Sequence, residues 1–364
     1  MKSPLTTLCY IEKDDKYLML HRVSKKNDVN KDKWIGIGGH FEEGESPEEC
    51  LLREAWEETG LCLTSWRFRG ILTFVSEGWP IEYICLYTAD GFYRSETNPL
   101  HSQQEAAVPS CESTPKDREL EFPCNEGVLE WIPKSEVTKL NLWEGDKIFL
   151  KLLAEEKPFF SMKLMYRGDV LTHVSVDGKP LELLDVCDEQ GIPTGKVTER
   201  SIAHTTGSIH RTAHVWVVRQ DADGRWQVLL QKRSMQKDSF PGALDTSSAG
   251  HISAGDEPLA SARRELQEEL GITASEEELI YAGSFDGGLI SAEFDGKPFL
   301  DHEIASVYIY DQPIDADSLQ LQREEVESVQ WMDYETCRRL VTQGDPRFCL
   351  RPEGLELVGR CLNI

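Results

Sequence analysis

Short apolar segments separated by polar turns open each half of the chain. In the first half residues 7–11 and 17–20 flank a polar stretch, and in the second half residues 213–218 and 226–231 do the same. Segments of this length, rich in branched and aromatic side chains and bounded by turn residues, predict strands. Both halves therefore begin with the same succession of strand, turn and strand.

A helix is predicted at the corresponding place in each half. Ser46 followed by Pro47 marks a favourable helix start, and Glu49 completes a capping box. Gly60 is the expected helix stop. The second half repeats these positions with Asp256 or Glu257 at the start, Pro258 and Gly271.

Further strand-like runs follow each predicted helix. They cover residues 71–75 and 82–87 in the first half and residues 305–310 in the second. A tryptophan, Trp131 or Trp331, then precedes another predicted helix in each half. The recurrence of the same elements predicts two domains of similar architecture.

The boundary between the halves falls in the turn-rich segment 176–180, ahead of a new strand-like run over residues 181–186. We therefore expect a first domain over residues 1–175 and a second over residues 176–364. The polar stretch 94–123 is expected to be a flexible loop of the first domain.

The composition fits two soluble globular domains. The 364 residues are too many for one typical core, and 40% are hydrophobic while 28% are charged. No apolar run suits a signal segment or a membrane span, and the ten cysteines show no paired spacing, which indicates reduced thiols and a cytoplasmic location. The formal net charge of −25 argues against nonspecific nucleic-acid binding, which needs Lys and Arg to neutralise phosphates. We expect no nucleic acid and no membrane as partners, and the oligomeric state stays open.

One carboxylate-rich pattern occurs in both predicted helices. Glu54, Glu57 and Glu58 lie at i, i+3 and i+4, so a helix places them on one face. Like charges at this spacing destabilise the helix unless a cation lies between them, and clustered oxygen ligands suit Mg²⁺ or Mn²⁺. The same spacing recurs at Glu265, Glu268 and Glu269. The duplication indicates two metal sites.

A group of basic side chains precedes each acidic helix. The two groups are Arg22, Lys25, Lys26, Lys31 and Lys33 in the first half, and Lys232, Arg233 and Lys237 in the second. Such runs of charge are commonly solvated loops. Their recurrence favours phosphate contact for some members, and Arg22, Lys232 and Arg233 are the candidates for substrate binding.

The two acidic segments resemble the Nudix signature, G-x5-E-x7-R-E-U-x-E-E-x-G-U, in which U is a bulky aliphatic residue. The first copy starts at Gly39 and matches every fixed position, with the small Ala55 at the first U. The second starts at Gly250 and matches all but one, where Asp256 replaces Glu. The resemblance implies an α/β (α+β) fold of two tandem domains, each a mixed β-sheet sandwiched between helices. It also implies Mg²⁺- or Mn²⁺-dependent hydrolysis of small-molecule nucleotides or other diphosphates.

The resemblance also assigns roles within the signature. The implied metal ligands, of which the glutamates are also catalytic, are the Gly39 carbonyl, Glu54, Glu57 and Glu58 in the first domain and Gly250, Glu265, Glu268 and Glu269 in the second. Glu45 is expected to pair with Arg53 and to fasten the loop to the helix. Asp256 is expected to pair with Arg264 more loosely, because Asp is one methylene shorter than Glu.

Over roughly residues 5–165 the first domain is similar to MutT-type 8-oxo-dGTP diphosphatases. The similarity implies that Glu126 supplies a fourth carboxylate, as a metal ligand or the general base. It also implies that Trp143 stacks on a purine and that Asp146 reads its edge. The alternative is that Trp143 belongs to the core and Asp146 to a helix cap or turn. Ile35 stands where some relatives place a base-reading Asn, so purine specificity is less secure than pyrophosphohydrolysis.

Over roughly residues 180–345 the second domain is similar to the Nudix branch that contains type I isopentenyl diphosphate isomerases. In those enzymes three histidines and two carboxylates bind a metal, and the matching residues here are His204, His210, His251, Asp301 and Glu303. Ala249 replaces the catalytic Cys of the isomerases, and Ser248 is neither in the same position nor comparably acidic. We therefore expect hydrolysis of a diphosphate compound, either a prenyl diphosphate or a nucleoside diphosphate derivative. The alternatives are an isomerase and a non-catalytic binding module.

Overall fold

The structure is a computed structural model that describes residues 3–24, 28–94, 124–294 and 296–364. The chain divides into two compact units, Met1–Leu181 (unit 1) and Glu182–Ile364 (unit 2). Two groups of predictions lie outside the described residues: Lys25 with Lys26, and all of the predicted loop beyond Arg94.

Unit 1 is built on one mixed sheet. Its strands are β1 (Leu5–Lys13), β2 (Lys16–His21), β3 (Trp34–Ile35), β4 (Leu61–Ser76), β5 (Glu82–Arg94), β6 (Val128–Pro133), β7 (Phe160–Arg167), β8 (Val170–Val176) and β9 (Lys179–Pro180). They lie in the order β3-β2-β1-β5-β4-β7-β8-β9, with β6 beside β2. The β1–β5 and β4–β7 pairs are parallel and the other pairs are antiparallel. The β8–β9 turn occupies the predicted boundary segment, which therefore belongs to unit 1.

Helices cover both faces of this sheet. They are α1 (Pro47–Thr59), α2 (Lys134–Val137) and α3 (Glu144–Ala154). Cys9 and Ile11 of β1 pack in one core with Ala55 of α1. The Tyr10 ring lies 5.8 Å from the ring of Phe149 of α3. Because successive strand residues point to opposite faces, the buried β1 needs a helix on each side.

Unit 2 repeats the plan of a mixed sheet. Its strands are β10 (Leu183–Cys187), β11 (Pro193–Glu199), β12 (His210–Gln220), β13 (Trp226–Arg233), β14 (Leu244–Asp245), β15 (Ser248–His251), β16 (Ile280–Phe294), β17 (Lys297–Tyr310) and β18 (Val326–Asp333). Its main sheet has the order β14-β13-β12-β17-β16, with β15 beside β12 and β18 beside β13, while β10 and β11 pair separately. The β12–β17 pair is parallel, as β1–β5 is in unit 1.

The central strand of unit 2 is also buried on both faces. The helices are α4 (Arg200–Thr206), α5 (Pro258–Leu270), α6 (Tyr334–Thr342) and α7 (Pro352–Leu362), with a short 3-10 helix at Ala316–Ser318. Val215 packs with Leu266 of α5. The adjacent Trp216 packs with Leu355 of α7. The predicted mixed sheet between helices is confirmed in both units.

The described helices are short. The longest, α1 and α5, have 13 residues each. None of the described helices combines the length and the apolar character that crossing a membrane requires. The described cysteines are free thiols, and most of them are buried.

Candidate functional site

The acidic helix of unit 1 begins and ends where the sequence predicts. The Ser46 hydroxyl accepts the Glu49 amide at 3.2 Å, and the Glu49 carboxylate accepts the Ser46 amide at 2.8 Å. Pro47 occupies the first turn, and Gly60 ends the helix in a left-handed conformation with φ of 69°. This capping box fixes where α1 starts, and so which side chains it turns toward the preceding loop.

Two of the three α1 carboxylates are held by the backbone of that loop. A Cβ at Gly39 would lie 2.4 Å from Glu54 Oε1, so only glycine leaves room for this carboxylate. The buried Glu58 accepts the Gly38 amide at 3.0 Å. The Glu57 side chain is 47% exposed. We name this arrangement the glutamate seat. It consists of one glutamate, here Glu54, that lies against a glycine, and a second, buried glutamate, here Glu58, that accepts a loop amide.

Burial raises the pKa of the Glu54 and Glu58 carboxyls. It brings the pKa of Glu58 to about 8, and the neighbouring Glu54 and Glu126 carboxylates add to the rise. The pKa of Glu54 is also raised, chiefly by burial. Ionised carboxylates this close repel one another, so a cation between them stabilises their ionised forms. A set of oxygen donors alone suits a hard divalent ion. The Gly39 carbonyl, predicted as a ligand, accepts the Thr7 amide at 2.9 Å, and its second lone pair leaves the role of metal ligand as a prediction.

Arg53 joins the loop to α1. It donates to the two Glu45 oxygens at 2.6 and 3.0 Å and to the His40 carbonyl at 3.0 Å. It also reaches Glu54 at 2.7 Å and Glu57 at 3.1 Å. The predicted Glu45–Arg53 pair is confirmed, and the same guanidinium contacts two members of the acidic triad.

Glu126 lies close to the α1 triad. Its charge raises the pKa of both Glu54 and Glu58. It forms an ion pair with Arg22, which also pairs with Asp28 at 2.8 Å. The structure thus brings the predicted fourth carboxylate to the triad. Arg22, predicted to bind substrate, is engaged by two carboxylates.

Trp143 is a core residue of unit 1. Its side chain is buried, and its indole N–H donates to Asn30 Oδ1 at 2.8 Å. Its ring meets the Tyr166 ring edge-on at 4.8 Å, and the Lys33 ammonium lies 4.8 Å from its centroid. This placement corresponds to the packing alternative and offers no open face for a purine. Asp146 is buried too, and burial raises its pKa to about 8.

The acidic helix of unit 2 repeats the glutamate seat. A Cβ at Gly250 would lie 2.2 Å from the carboxyl carbon of Glu265. The Glu269 carboxylate accepts the Ala249 amide at 3.1 Å, and burial raises the pKa of Glu269 to about 8. The Glu268 side chain is 53% exposed. Each member of the first triad therefore has a counterpart in the same setting.

The arginine of the second acidic helix keeps only part of the loop contact seen in unit 1: Arg264 donates to the His251 carbonyl at 3.4 Å, as Arg53 does to the His40 carbonyl at 3.0 Å. Arg264 pairs with Glu265 at 2.8 Å and with Glu268 at 3.0 Å. Within the described part of the chain, no ion pair joins Arg264 to Asp256. The prediction of that pair is wrong, because the shorter Asp256 side chain does not span the distance that Glu45 spans in unit 1.

Three histidines and two carboxylates converge at a second place in unit 2. His204 lies on α4, His210 on β12 and His251 on β15, and their ring nitrogen atoms lie within 4.8 Å of one another. Asp301 and Glu303 of β17 form a second such group with His210. The parallel pairing of β12 with β17 sets His210 opposite Glu303 and so brings these segments together.

The donor atoms of this histidine cluster suit a metal ion. His204 Nε2, His210 Nε2 and Asp301 Oδ1 are buried and have no hydrogen-bond partner among the described residues. Asp301 Oδ1 lies 3.6 Å from each of the two nitrogen atoms. Burial lowers the pKa of His204 to about 3, so its ring is neutral and keeps a lone pair. Because unpaired buried polar atoms are costly, the cluster fits a divalent metal held by imidazole and carboxylate.

A cavity of about 270 Å³ in unit 2 is lined by residues of both the acidic triad and the histidine cluster. Its wall includes members of the triad and of the histidine cluster, namely Glu265, Glu268, Glu269, His204, His251, Asp301 and Glu303. The basic side chains on the same wall are Arg200, Arg233, Lys237 and Arg351. The cavity can therefore hold a diphosphate between metal-binding carboxylates and cationic groups.

Lys232 is turned away from this cavity. Arg233 lines it and pairs with Asp245 at 3.0 Å. The Lys232 side chain is 40% exposed and pairs with Glu327 at 2.8 Å. Arg233 and not Lys232 is therefore the member of this pair that lies on the cavity wall. The role of Lys232 in substrate binding stays a prediction.

Several residues of the cavity wall were not among the predicted site residues, including Glu182, Arg200, His214, Trp216 and Arg351. For His214 and Trp216 a signal exists, because they continue the face that His210 begins on β12. Arg200 and Arg351 stand at the starts of α4 and α7, and no local pattern places those helix starts at the cavity.

Comparison with known proteins gives matches in both units. A model described as NUDIX domain matches residues 2–153 and 210–349. Nudix hydrolase 3 of Arabidopsis thaliana is 40% identical over 169 residues, which are 46% of this chain and 21% of that protein. An isopentenyl-diphosphate Delta-isomerase of Pectobacterium atrosepticum is 31% identical over 168 residues, 45% of this chain and 84% of that protein. The MutT protein from Bacillus halodurans, a solved structure, is 24% identical with a TM-score of 0.36, covering 48% of this chain and 99% of that one.

The two NUDIX domain matches confirm the predicted family and the predicted tandem arrangement. The chain spans only about a fifth of the Arabidopsis protein. The two matched segments fall one in each unit and together cover most of the chain. The chain therefore belongs to the NUDIX domain family.

Proposed function

We propose that the chain is a metal-dependent pyrophosphohydrolase with one active site in each of two domains, residues 1–175 and 176–364, and that it works in the cytoplasm. The observation that carries the proposal is the glutamate seat, which occurs in both units with the same contacts. Mg²⁺ or Mn²⁺ held there would offset the charge of a diphosphate and activate water for attack on phosphorus.

In unit 1 the residues around the seat suit hydrolysis of a nucleoside triphosphate. Glu54, Glu57 and Glu58 are the proposed metal ligands. Glu126, placed close to them and oriented by Arg22, is the proposed base that takes a proton from the attacking water. Water adds to one phosphorus, the bond to the bridging oxygen breaks, and the products are the monophosphate and pyrophosphate. We propose an oxidised purine nucleotide as the substrate, in keeping with the MutT resemblance.

In unit 2 we propose hydrolysis of a diphosphate compound at the triad of Glu265, Glu268 and Glu269. The adjoining cluster of His204, His210, His251, Asp301 and Glu303 would hold a further divalent ion, and Arg233 faces the same cavity. The second candidate function is isopentenyl diphosphate isomerisation, which the histidine cluster favours. Ala249 offers no proton donor for it, so hydrolysis is the better-supported reaction. A binding module without catalysis is the third candidate.

Two single substitutions in the full chain test the two-site proposal. Glu57 and Glu268 are half-exposed, so replacing either with Gln removes a charge and spares the core. Glu57→Gln is expected to reduce hydrolysis of 8-oxo-dGTP and other nucleoside triphosphates by roughly 100-fold or more, and Glu268→Gln to reduce hydrolysis of the unit 2 substrate equally. The assay follows phosphate, pyrophosphate and monophosphate release from nucleoside triphosphates, nucleotide sugars and prenyl diphosphates with Mg²⁺ or Mn²⁺.

Matched controls are Glu136→Gln and Glu335→Gln. Both glutamates are at least half-exposed and pair with a basic residue three positions further along the chain, whereas Glu57 and Glu268 pair with an arginine four positions earlier. They should leave every activity unchanged. If either active-site variant abolishes all products, the two sites are not independent and the proposal fails. Deuterium uptake by isopentenyl diphosphate in D₂O would establish the isomerase instead, and thermal stabilisation without any product would establish the binding module.

A further inference from the structure

Two side chains from other strands hold the loop that joins β15 to α5 in unit 2, residues 252–257. Asp185 of β10 accepts the Gly255 amide at 3.0 Å. Arg211 of β12 donates to the Asp256 carbonyl at 3.1 Å and to the Asp185 carboxylate at 2.9 Å. We name Asp185 and Arg211 the loop clamp.

The loop clamp is shielded from water and joins three segments of the chain. The Asp185 and Arg211 side chains are 11% and 14% exposed. A single Asp185 oxygen, Oδ2, accepts both the guanidinium and the Gly255 amide. Beside it, the Ala254 amide donates to the Leu183 carbonyl of β10 at 2.8 Å. Hydrogen bonds between ionised groups are stronger than neutral ones, so the clamp is the main polar attachment of the loop to the strands.

Unit 1 attaches its corresponding loop with residues of the signature itself. Glu45 accepts the Glu42 amide at 2.7 Å and pairs with Arg53 of α1. A carboxylate that accepts a loop amide and pairs with an arginine therefore occurs in both units. In unit 2 neither partner belongs to the signature segment, residues 250–272, because Asp185 and Arg211 precede it.

The strand position of Arg211 is occupied by a leucine in unit 1. The Leu5 carbonyl of β1 accepts the Phe41 amide at 3.1 Å, as the Arg211 carbonyl of β12 accepts the Ile252 amide at 3.0 Å. Leu5 and Arg211 are thus counterparts, and the leucine has no charge to offer a loop carbonyl. The clamp is a feature of unit 2 that its signature does not encode.

The start of α5 also lacks the capping box of α1. Ser46 and Glu49 cap α1 reciprocally, whereas the Glu257 side chain at the start of α5 accepts no capping hydrogen bond from the described backbone. The residue at which a helix starts, and its attachment there, decide which side chains face the preceding loop. In unit 2 the clamp, which holds the two residues just before Glu257, takes over this task.

We propose that Asp185 and Arg211 are positioning residues for the metal site of unit 2. They fix the loop ahead of α5, and with it the glutamate seat formed by Glu265 and Glu269. The inference rests on the metal-binding triad proposed for unit 2 and adds to it two residues that touch neither metal nor substrate. In unit 1 the Glu45–Arg53 pair and the capping box share the same role, so weakening that pair alone leaves one attachment in place.

Calorimetric Mn²⁺ titration of the full chain tests the clamp. The Mn²⁺ binding that belongs to the unit 2 triad is the one that Glu268→Gln weakens. We expect Asp185→Ala to weaken the same binding by about 10-fold, as happens when a group that orients a metal ligand is removed. Arg211→Leu introduces the residue found at this place in unit 1 and should have a smaller effect, because Asp185 still accepts the Gly255 amide.

Asp188→Ala is the matched control. Asp188 belongs to the same pair of strands and accepts the Gln190 and Ile192 amides at 3.0 and 2.9 Å, both within the β10–β11 turn. Asp185→Ala and Asp188→Ala should each lower the melting temperature. Asp188→Ala should leave the affinity for Mn²⁺ unchanged, since its contacts do not reach the loop.

A second substitution distinguishes positioning from general stability. Asp256→Glu in the Asp185→Ala chain lengthens the loop acid so that it can pair with Arg264, as Glu45 pairs with Arg53. This change should restore most of the lost Mn²⁺ affinity by a different attachment of the same loop. Asp256→Gln in the same background has the length without the charge and should restore none.

The outcomes separate this inference from the proposed function. If Glu268→Gln weakens no Mn²⁺ binding, the metal site proposed for unit 2 is rejected, and the positioning role with it. If Glu268→Gln weakens binding but Asp185→Ala does not, the positioning role alone is overturned. Equal weakening by Asp188→Ala, or no recovery with Asp256→Glu, overturns it as well. Should Asp185→Ala fail to fold, Asp185→Asn, which keeps the shape and one acceptor oxygen, is judged by the same criteria.

Discussion

The arginine at the centre of each acidic helix has a different environment in the two units. Arg53 is 11% exposed and forms an ion pair with Glu45 of the preceding loop, whereas Arg264 is 38% exposed and, among the described residues, forms ion pairs with acids of its own helix alone. Its contact with the loop is a hydrogen bond to the His251 carbonyl at 3.4 Å. The loop acid also differs between the units: it is Glu45 in unit 1 and Asp256, one methylene shorter, in unit 2. Attachment of the loop to the helix by an ion pair is therefore a variable part of the motif.

The glutamate seat, by contrast, is the same in both units. Glu54 and Glu265 each lie against a glycine that has no space for a Cβ. Glu58 and Glu269 each accept a loop amide and share a raised pKa of about 8. These contacts need no long side chain from the loop, which explains how the site keeps its geometry when the ion pair is lost.

The largest expected effect comes from filling the glycine space. Gly39→Ala and Gly250→Ala place a methyl group where the Glu54 or Glu265 carboxylate lies, so the carboxylate must move. We expect metal affinity at the altered unit to fall roughly 10- to 100-fold. Calorimetric Mn²⁺ titration should show the loss in one unit at a time. Thermal unfolding serves as the control, because the displaced atoms are the end of a flexible side chain. Unchanged Mn²⁺ affinity in either variant would show that the seat does not hold metal.

Removing the two arginines should reveal their different environments. Arg53→Ala leaves Glu45, Glu54 and Glu57 without their shared partner, and we expect the free energy of unfolding to fall by about 2–4 kcal/mol. Arg264→Ala removes a more exposed group, for which solvent screening limits the loss to about 1 kcal/mol or less. Urea unfolding measures both, and Arg53→Lys should give an intermediate value since it lacks the bidentate contact. Equal losses would contradict the proposed difference between the units.

The buried glutamates predict a pH dependence common to both units. The pKa values of Glu58 and Glu269 are about 8 in the folded chain, above the usual 4.5. The folded state therefore binds more protons than the unfolded state between these values, so the metal-free stability of each unit should fall as pH rises from 4.5 to 8, by about 1.4 kcal/mol per pH unit for its one buried glutamate. Melting temperatures in a chelator at pH 5.5 and 7.5 measure this slope. Mg²⁺ should reduce it by favouring the ionised forms, and Glu58→Gln with Glu269→Gln should lower it to the share that the buried Asp146, whose pKa is also about 8, contributes in unit 1. An unchanged slope in the doubly substituted chain would show that the two glutamates do not cause it.

The sequence predicts best what short-range rules decide. Ser46, Pro47 and Glu49 determine the start of α1 through contacts within a few residues, so the capping box could be predicted. The face shared by Glu57 and Glu58 follows from helix geometry alone. The convergence of His204, His210 and His251 could be predicted only from the family resemblance, because three separate segments meet there.

The features that could not be predicted from the sequence depend on contacts between distant segments. Lys232 and Arg233 belong to the same basic run, and only the orientation of β13 in its sheet decides which one enters the cavity. A tryptophan such as Trp143 can stack on a purine base, but in the folded chain its ring packs against Tyr166 and Lys33. Arg351 follows β18 and α6 in the chain, and only the folded structure brings it to the cavity.

The smallest expected effect comes from exchanging the two loop acids. Asp256→Glu restores the missing methylene, and we expect the new carboxylate to reach Arg264 and raise the free energy of unfolding by about 0.5 kcal/mol. Asp256→Gln has the same length without the charge and is the matched control, which should give no gain. The reciprocal change, Glu45→Asp, should make Arg53 resemble Arg264 and lower stability while leaving Mn²⁺ binding in place, because the glutamate seat does not involve Glu45. Loss of Mn²⁺ binding in Glu45→Asp would show that the ion pair, and not the seat alone, sets the geometry of the metal site.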